Sequence, residues 1–240
     1  MNILLTNDDG INALGIKKVE EILKKYGNVY VVAPTIEQSG KACSINAYRG
    51  VKIHKIDSNH ISVDGSPVDC VEIALAMIDV DFDLIVSGCN NGYNLSQDVM
   101  YSGTCGACIQ SLLANKKAIA LSIKNSSYFY LLDELLPQTL DYVFKNELLS
   151  NQYFLNINFP ITLDHKGFMF TKVYTPINET YYPINTEEKD VYIIARKETK
   201  QYNNIDSDKN AVNEGYISIT PMSQSIYNET MLDLLKNKIK

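Results

Sequence analysis

The sequence predicts an α/β protein: a mostly parallel sheet covered by helices on both faces, with strand-rich extensions at the C-terminal end. Three observations carry this. Short apolar runs of strand length alternate with amphipathic stretches through the first half. Pro, Gly, Asn and Asp separate them. The chain, 240 residues with 45% hydrophobic and 21% charged, is also large enough to bury a core without disulfides or a structural metal.

Taken in order, residues Asn2 to Thr6 form a first core strand. Ala13 to Tyr26 places Ile16, Val19, Leu23 and Tyr26 three and four residues apart, with lysines and glutamates between them, so it is an amphipathic helix. Asn28 to Ala33 is a buried strand stopped by Pro34. Val51 to Ile56 and His60 to Val63 pair as a hairpin or an edge. Pro67 to Ile78 is a helix with proline at its first position. Asp83 to Ser87 is a strand, Thr104 to Lys116 a helix and Ala118 to Ile123 a strand. Tyr128 to Leu149 reads as a long helix, broken or bent at Pro137.

Beyond Tyr153 the pattern changes. Tyr153 to Asn158, Met169 to Tyr174, Val191 to Ala195 and Tyr216 to Thr220 read as strands. The polar stretches Thr175 to Asp190 and Lys197 to Asn213 are long for structureless loops. They fit arms that pack on a partner chain, or mobile loops. Ser223 to Lys240, with Ile226, Leu232 and Leu235, reads as a surface helix. One domain is expected over 1–240, with its core over about 1–160 and an extension over about 161–240.

Lys and Arg number 22 against 28 Asp and Glu, a net charge of −6. That balance argues against binding a nucleic-acid duplex or a membrane surface. It still permits a small anionic substrate, because one bound cation reverses the local field. No segment approaches the ~20 apolar residues needed to span a bilayer. The first residues lack a basic run and a signal-like apolar stretch, so a cytoplasmic location is expected, with the five cysteines as thiols.

In doubly wound sheets, ligands sit beyond the carboxyl ends of the strands. The first strand delivers Asn7-Asp8-Asp9-Gly10, the second Pro34 and then Gln38-Ser39-Gly40, and the Asp83–Ser87 strand Gly88-Cys89-Asn90-Asn91-Gly92-Tyr93-Asn94. Asp8 and Asp9 are the strongest element, since two carboxylates brought together call for a divalent cation. Ser39 and Asn90 would complete a site of hard oxygens, which selects Mg²⁺, Mn²⁺ or Ca²⁺ over zinc. The alternative is that the two aspartates only cap the next helix.

Tyr101-Ser102-Gly103-Thr104-Cys105-Gly106 enters a helix with hydroxyls and free N–H groups, which suits a phosphate or a plain N-cap. There is no Walker loop and no Gly-x-Gly-x-x-Gly after the first strand. Cys105-Gly106-Ala107-Cys108 has the spacing of a thiol redox pair, but small packing residues fit its setting better. His54, His60 and His165 are scattered, with no nucleophile at a recognisable spacing.

These motifs together resemble the SurE (survival protein E) family of 5′/3′-nucleotidases. The resemblance rests on Asn7-Asp8-Asp9-Gly10-Ile11 with Gly15-Ile16, Val32-Ala33-Pro34 with Ser39-Gly40, and Gly65-Ser66-Pro67-Val68-Asp69-Cys70-Val71. It continues through Val86 to Asn94, Tyr101-Ser102-Gly103-Thr104, Asn156-Ile157-Asn158-Phe159-Pro160 and Gly215 to Pro221. It implies a Rossmann-like α/β/α core and a metal-dependent phosphatase acting on nucleoside 5′- and 3′-monophosphates. It implies one divalent ion per subunit, Mg²⁺ or Mn²⁺ and also Ca²⁺, held by Asp8, Asp9, Ser39 and Asn90, with Asp8 and Asp9 catalytic. It implies phosphate contacts at Asn94, Ser102, Gly103 and Thr104, and homodimers or homotetramers joined through C-terminal arms. The sequence departs from the family at Cys89, Asn91 and Tyr93, and Tyr181 to Asp208 keeps little of an Arg/Gly-rich hairpin. Attack by water and a covalent aspartyl-phosphate both remain open. A non-catalytic nucleotide-binding module and a Cys105/Cys108 thiol protein are the rival classes.

Overall fold

The computed structural model describes residues 1–174, 181–196, 206–225 and 229–238. Chain order runs β1 (Asn2–Thr6), α1 (Leu14–Leu23), β2 (Asn28–Pro34), β3 (Ile53–Lys55), β4 (His60–Val63), α2 (Pro67–Met77), β5 (Leu84–Asn91), α3 (Gly103–Leu113), β6 (Ala118–Ile123), α4 (Leu132–Lys145), β7 (Phe154–Phe159), β8 (Phe168–Phe170), β9 (Tyr181–Asn185), β10 (Tyr192–Arg196), α5 (Asp208–Asn213), β11 (Ile217–Met222) and α6 (Glu229–Lys238).

Nine strands form one sheet in the order β3-β4-β2-β1-β5-β6-β7-β11-β8. The strands from β4 to β7 run parallel, while β3 and β11 are antiparallel to their inner neighbours. Alternate residues of β1 serve opposite faces. Ile3 and Leu5 pack with the apolar stripe of α1 and α4, and Leu4 packs with that of α2 and α3. The helices therefore form two outer layers around the sheet. After β1 the chain winds outward through β2, then crosses back to β5 on the other side of β1. That reversal opens a crevice at the carboxyl ends of β1 and β5.

The elements expected in the first half are present, with two differences. Residues 126–131 form a 3₁₀ turn, and α4 begins only at Leu132. Pro137 then lies inside α4 without ending it. Burial of Leu135, Leu136, Leu140 and Val143 outweighs the one backbone bond the proline deletes.

The C-terminal region differs more. The polar stretch over 175–190, expected as an extended arm or a mobile loop, contains β9, which pairs antiparallel with β10 through Tyr181↔Arg196 to Asn185↔Tyr192. Pro183 hides this strand in the sequence, since proline suits only an edge. The stretch 197–213 contains α5, capped by Ser207, whose hydroxyl accepts the Asn210 N–H at 3.3 Å. Residues 175–180, 197–205, 226–228 and 239–240, with Ile226 among them, lie outside the described residues. β11 inserts between β7 and β8, so strands beyond residue 160 complete the main sheet rather than hang from it.

Candidate active site

The crevice is built from the end of β1 outward. Asn7 braces the turn: its Nδ2 donates to the Gly10 carbonyl at 2.9 Å, and its Oδ1 accepts the Gly10 N–H at 3.2 Å. Gly10 has φ +100°, a conformation that glycine tolerates best. Asp8 and Asp9 leave the strand on opposite sides, as neighbours must, yet each reaches a wall of the same crevice. Asp8, only 3% exposed, turns under α3, where its Oδ1 accepts the Thr104 hydroxyl at 2.7 Å and its Oδ2 the Thr104 N–H at 3.2 Å. Asp9 reaches the end of β5, where its Oδ2 accepts the Asn91 N–H at 3.0 Å. A Cβ at position 103 would meet the Asp8 Cβ at 2.9 Å, so only glycine lets the helix start approach this closely.

Burial pushes the Asp8 carboxyl above its usual range, against the pull of its Thr104 hydrogen bonds. Burial likewise lifts Asp9 to about 6, helped by the negative charges of Asp8 and Glu37. Among the described residues, no Lys, Arg or His forms an ion pair with either carboxylate. A buried anionic pair without a cation is an arrangement that a divalent ion relieves.

The other two predicted ligands flank the pair. The Gln38 N–H donates to the Asp8 carbonyl at 2.7 Å, which sets Ser39 one residue from the crevice. Ser39 is exposed, and its hydroxyl donates to Glu37 Oε1 at 2.7 Å, leaving its lone pairs available. Asn90 precedes the residue whose N–H holds Asp9. Its Nδ2 donates to the Gly92 carbonyl at 2.9 Å, and its Oδ1 has no partner among the described residues. Among the described residues there is no cluster of three or more His, Cys, Asp or Glu, and the predicted donors are two carboxylates with neutral oxygens. That set fits Mg²⁺, Mn²⁺ or Ca²⁺.

The residues expected at phosphate are tied into the same corner of the fold. Thr104 is buried and its hydroxyl is given to Asp8. The Ser102 hydroxyl caps α3 by accepting the Cys105 N–H at 3.0 Å. Gly103 packs against Asp8. Asn94 is buried, with Nδ2 donating to the Ser122 hydroxyl at 2.8 Å. Its backbone is clamped by Asn156, which donates to its carbonyl at 2.9 Å, and by Asn158, which both accepts its N–H at 3.0 Å and donates to its carbonyl at 3.1 Å. Asn7, Gln38, Glu37 and Asn91 were not singled out as site residues from the sequence. Only Asn7 carried a signal, standing directly before the two aspartates at the end of the first strand.

Cys105 and Cys108 are wholly buried, and burial raises both thiols, Cys105 to about 12. That is the opposite of a reactive thiolate, and all five cysteines are free. The histidines sit away from the crevice in local contacts: His60 with Asp57 and Glu20, His54 with Asp64, and His165 with Gln138.

The family model "Survival protein SurE" matches residues 3–180. This chain belongs to the SurE family. Among SurE relatives, "5′/3′-nucleotidase SurE" of Wigglesworthia glossinidia brevipalpis is 34% identical over 99% of this chain and 97% of its own length. "5′-nucleotidase SurE" of Acinetobacter baylyi is 35% identical over the full length of both chains. The solved SurE protein of Aquifex aeolicus superimposes with a TM-score of 0.87 at 30% identity, covering 100% of both chains. Among the described residues, no helix of this SurE chain is long and apolar enough to cross a membrane.

Proposed function

We propose that this chain is a divalent-metal-dependent phosphatase that hydrolyses nucleoside 5′- and 3′-monophosphates to nucleoside and phosphate. The observation that carries this reading is the acid pair. Asp8 and Asp9 stand at the switch of a doubly wound sheet, both destabilised by burial and neither offset by a cation among the described residues. The names of the curated relatives, 5′/3′- and 5′-nucleotidase, support the substrate class.

Asp8, Asp9, Ser39 and Asn90 would hold the ion, Mg²⁺ or Mn²⁺, with Ca²⁺ also suited to the oxygens. A bound ion would supply several kcal/mol of charge stabilisation to the transferring phosphoryl group. Thr104 fixes the Asp8 carboxylate through its hydroxyl and N–H. Asn91 fixes Asp9. The Asn94 clamp and the start of α3 set the floor on which the phosphate oxygens would rest, with Ser102 and Gly103 at the mouth. Asp9, the more exposed of the two, is the better placed to meet an attacking water.

Homodimers or homotetramers through the C-terminal arms are part of this reading, and the exposed apolar residues on β9, β10 and α6 support it. A cytoplasmic location accords with five free thiols. The test is a phosphate-release screen over 5′- and 3′-monophosphates crossed with Mg²⁺, Mn²⁺, Ca²⁺ and EDTA. Metal-dependent release from nucleotides is expected. Tight nucleotide binding with no release under any metal would leave a non-catalytic binding module instead.

A further inference from the structure

Asp208, in the first turn of α5, is a wholly buried acid outside the crevice. Its Oδ2 accepts the Ser96 N–H at 2.8 Å, from 112 positions earlier in the chain. Its Oδ1 accepts the Tyr174 N–H at 3.0 Å and the Lys209 N–H at 2.7 Å. Among the described residues it has no ion-pair partner, so backbone donors alone offset the cost of burying it. Docking of α5 does not require that carboxylate. Ala211 and Val212 are buried, the helix lies against β11 and β7, and the Ser207 hydroxyl caps it.

What the carboxylate holds is Ser96. That residue has φ +59°, in the left-handed region where a side chain is disfavoured and the surroundings must supply support. Two bonds supply it: the Ser96 N–H to Asp208, and the Ser96 hydroxyl donating to the Tyr174 carbonyl at 2.7 Å. Both partners come from the chain beyond residue 160. On either side of Ser96 the chain belongs to the crevice. Two residues before it stands Asn94, whose backbone is clamped by Asn156 and Asn158. After it, Ser96–Met100 form a 3₁₀ turn, in which the Asp98 N–H donates to the Leu95 carbonyl at 3.1 Å and the Tyr101 N–H to the Asp98 carbonyl at 3.0 Å. That turn delivers the chain to Ser102 and Gly103 at the start of α3. The path from Asn94 to α3 therefore pivots on a residue that the C-terminal extension holds in place.

We propose that Asp208 is a positioning residue for the phosphate end of the crevice. By holding Ser96 it sets the spacing between Asn94 and the start of α3. The inference rests on the reading of those two elements as the floor for the phosphate oxygens. Asp8, Asp9, Ser39 and Asn90 are held instead by bonds with Thr104, Asn91, Glu37 and Gly92, so loss of the Asp208 clamp reaches the phosphate and spares the ion.

The test is Asp208→Asn in the full chain loaded with Mn²⁺. Asparagine keeps the volume but replaces one acceptor by a donor, which then faces an N–H. Calorimetry is expected to show inorganic phosphate bound about tenfold more weakly, and kcat/KM for AMP is expected to fall by a similar factor. Mn²⁺ affinity is expected to stay within about twofold of wild type. Should Asp208→Asn not fold, Ser96→Ala keeps the bond to Asp208, loses the one to the Tyr174 carbonyl, and is expected to weaken phosphate binding about threefold. A lower melting temperature with phosphate binding and kcat/KM unchanged makes Asp208 a stabilising residue only and overturns the proposal. An equal loss of Mn²⁺ affinity overturns it too, since the defect then lies at the ion. Weaker phosphate binding in the variant, beside a wild type that releases nothing from AMP, keeps the positioning role and sinks the phosphatase reading. No phosphate binding by wild type overturns both.

Discussion

Leu4, Ile85 and Ile119 in the central strands are wholly buried, whereas Ile193 and Ile194 in the β9–β10 hairpin are 60% and 72% exposed. α6 repeats the hairpin's behaviour, with Met231, Leu232, Leu234 and Leu235 all exposed. The residue types are the same in both regions. What differs is the source of cover. Around the crevice, α1, α2, α3 and α4 of the same chain bury the sheet on both faces. Among the described residues, nothing in the chain does so for the arms. The same chain thus covers the sheet around the crevice on both faces and leaves apolar side chains of the hairpin and α6 exposed.

The sharpest way to break that division is to disable the crevice without touching the arms. Asp8→Asn keeps the shape and removes the charge. Phosphate release is expected to fall by about 10³-fold, since several kcal/mol of ion-mediated stabilisation depends on that ligand and each ~1.4 kcal/mol is tenfold. Burial opposes the Asp8 charge, so the metal-free variant should melt no lower than wild type at neutral pH, and its melting point should no longer rise with Mn²⁺. Steady-state turnover together with melting curves, with and without metal, checks both halves. Near-normal turnover in a folded variant would remove Asp8 from the centre.

A smaller effect tests how the crevice is held together. A Cβ on Gly106 would lie 2.1 Å from the Ala42 carbonyl oxygen, a backbone atom that cannot swing aside. The Ala42 N–H is itself bound to the Tyr101 carbonyl at 3.0 Å. Gly106→Ala must then lever the segment after β2, with Ser39 on it, away from α3. Overpacking of this kind costs about 1–3 kcal/mol, or roughly 3–10 °C in melting temperature for a chain of this size. Mn²⁺ affinity measured by calorimetry should weaken about tenfold. A drop in melting point with unchanged affinity would show that Ser39 is not a ligand.

The arms should answer to different changes. Ile194→Asp combined with Leu235→Asp puts charges onto the two uncovered surfaces. Sedimentation should shift toward the monomer, while the unfolding temperature of the core moves by no more than about 2 °C. An unchanged sedimentation coefficient would place the interface elsewhere.

The same contrast decides what could be read from the sequence. The strands of the first half were legible because their burial writes itself as unbroken apolar runs, and the acid pair because two adjacent aspartates after such a run have few structural uses. β9 was not legible, since Pro183 and its polar flanks erase the alternation that marks a strand. The contact of Thr104 with Asp8 was not legible either. A hydroxyl at a helix start looks the same in sequence whether it faces a phosphate or, as here, a buried carboxylate from 96 positions earlier in the chain. Asn91 and Gln38 act through backbone N–H groups, and no side-chain pattern reports those.

The mildest expectation concerns pH. Burial lifts the Asp9 carboxyl to about 6 in the folded metal-free protein, above the ordinary carboxylate range, and Asp8 is also raised. The folded state thus binds protons more tightly than the unfolded one, so this contribution to stability is full below about pH 4 and is lost as pH rises through 6. Asp57 and Asp64 shift the other way, but both are already ionised in either state above pH 5 and contribute no slope there. Metal-free protein should therefore melt a few °C lower at pH 7.5 than at pH 5. Saturating Mn²⁺ should reverse the order, because the ion competes with the protons for the same oxygens. Charge variants of the arms should follow the same curve as wild type. If the pH dependence moved with Ile194→Asp and Leu235→Asp instead, the two regions would not be energetically separate.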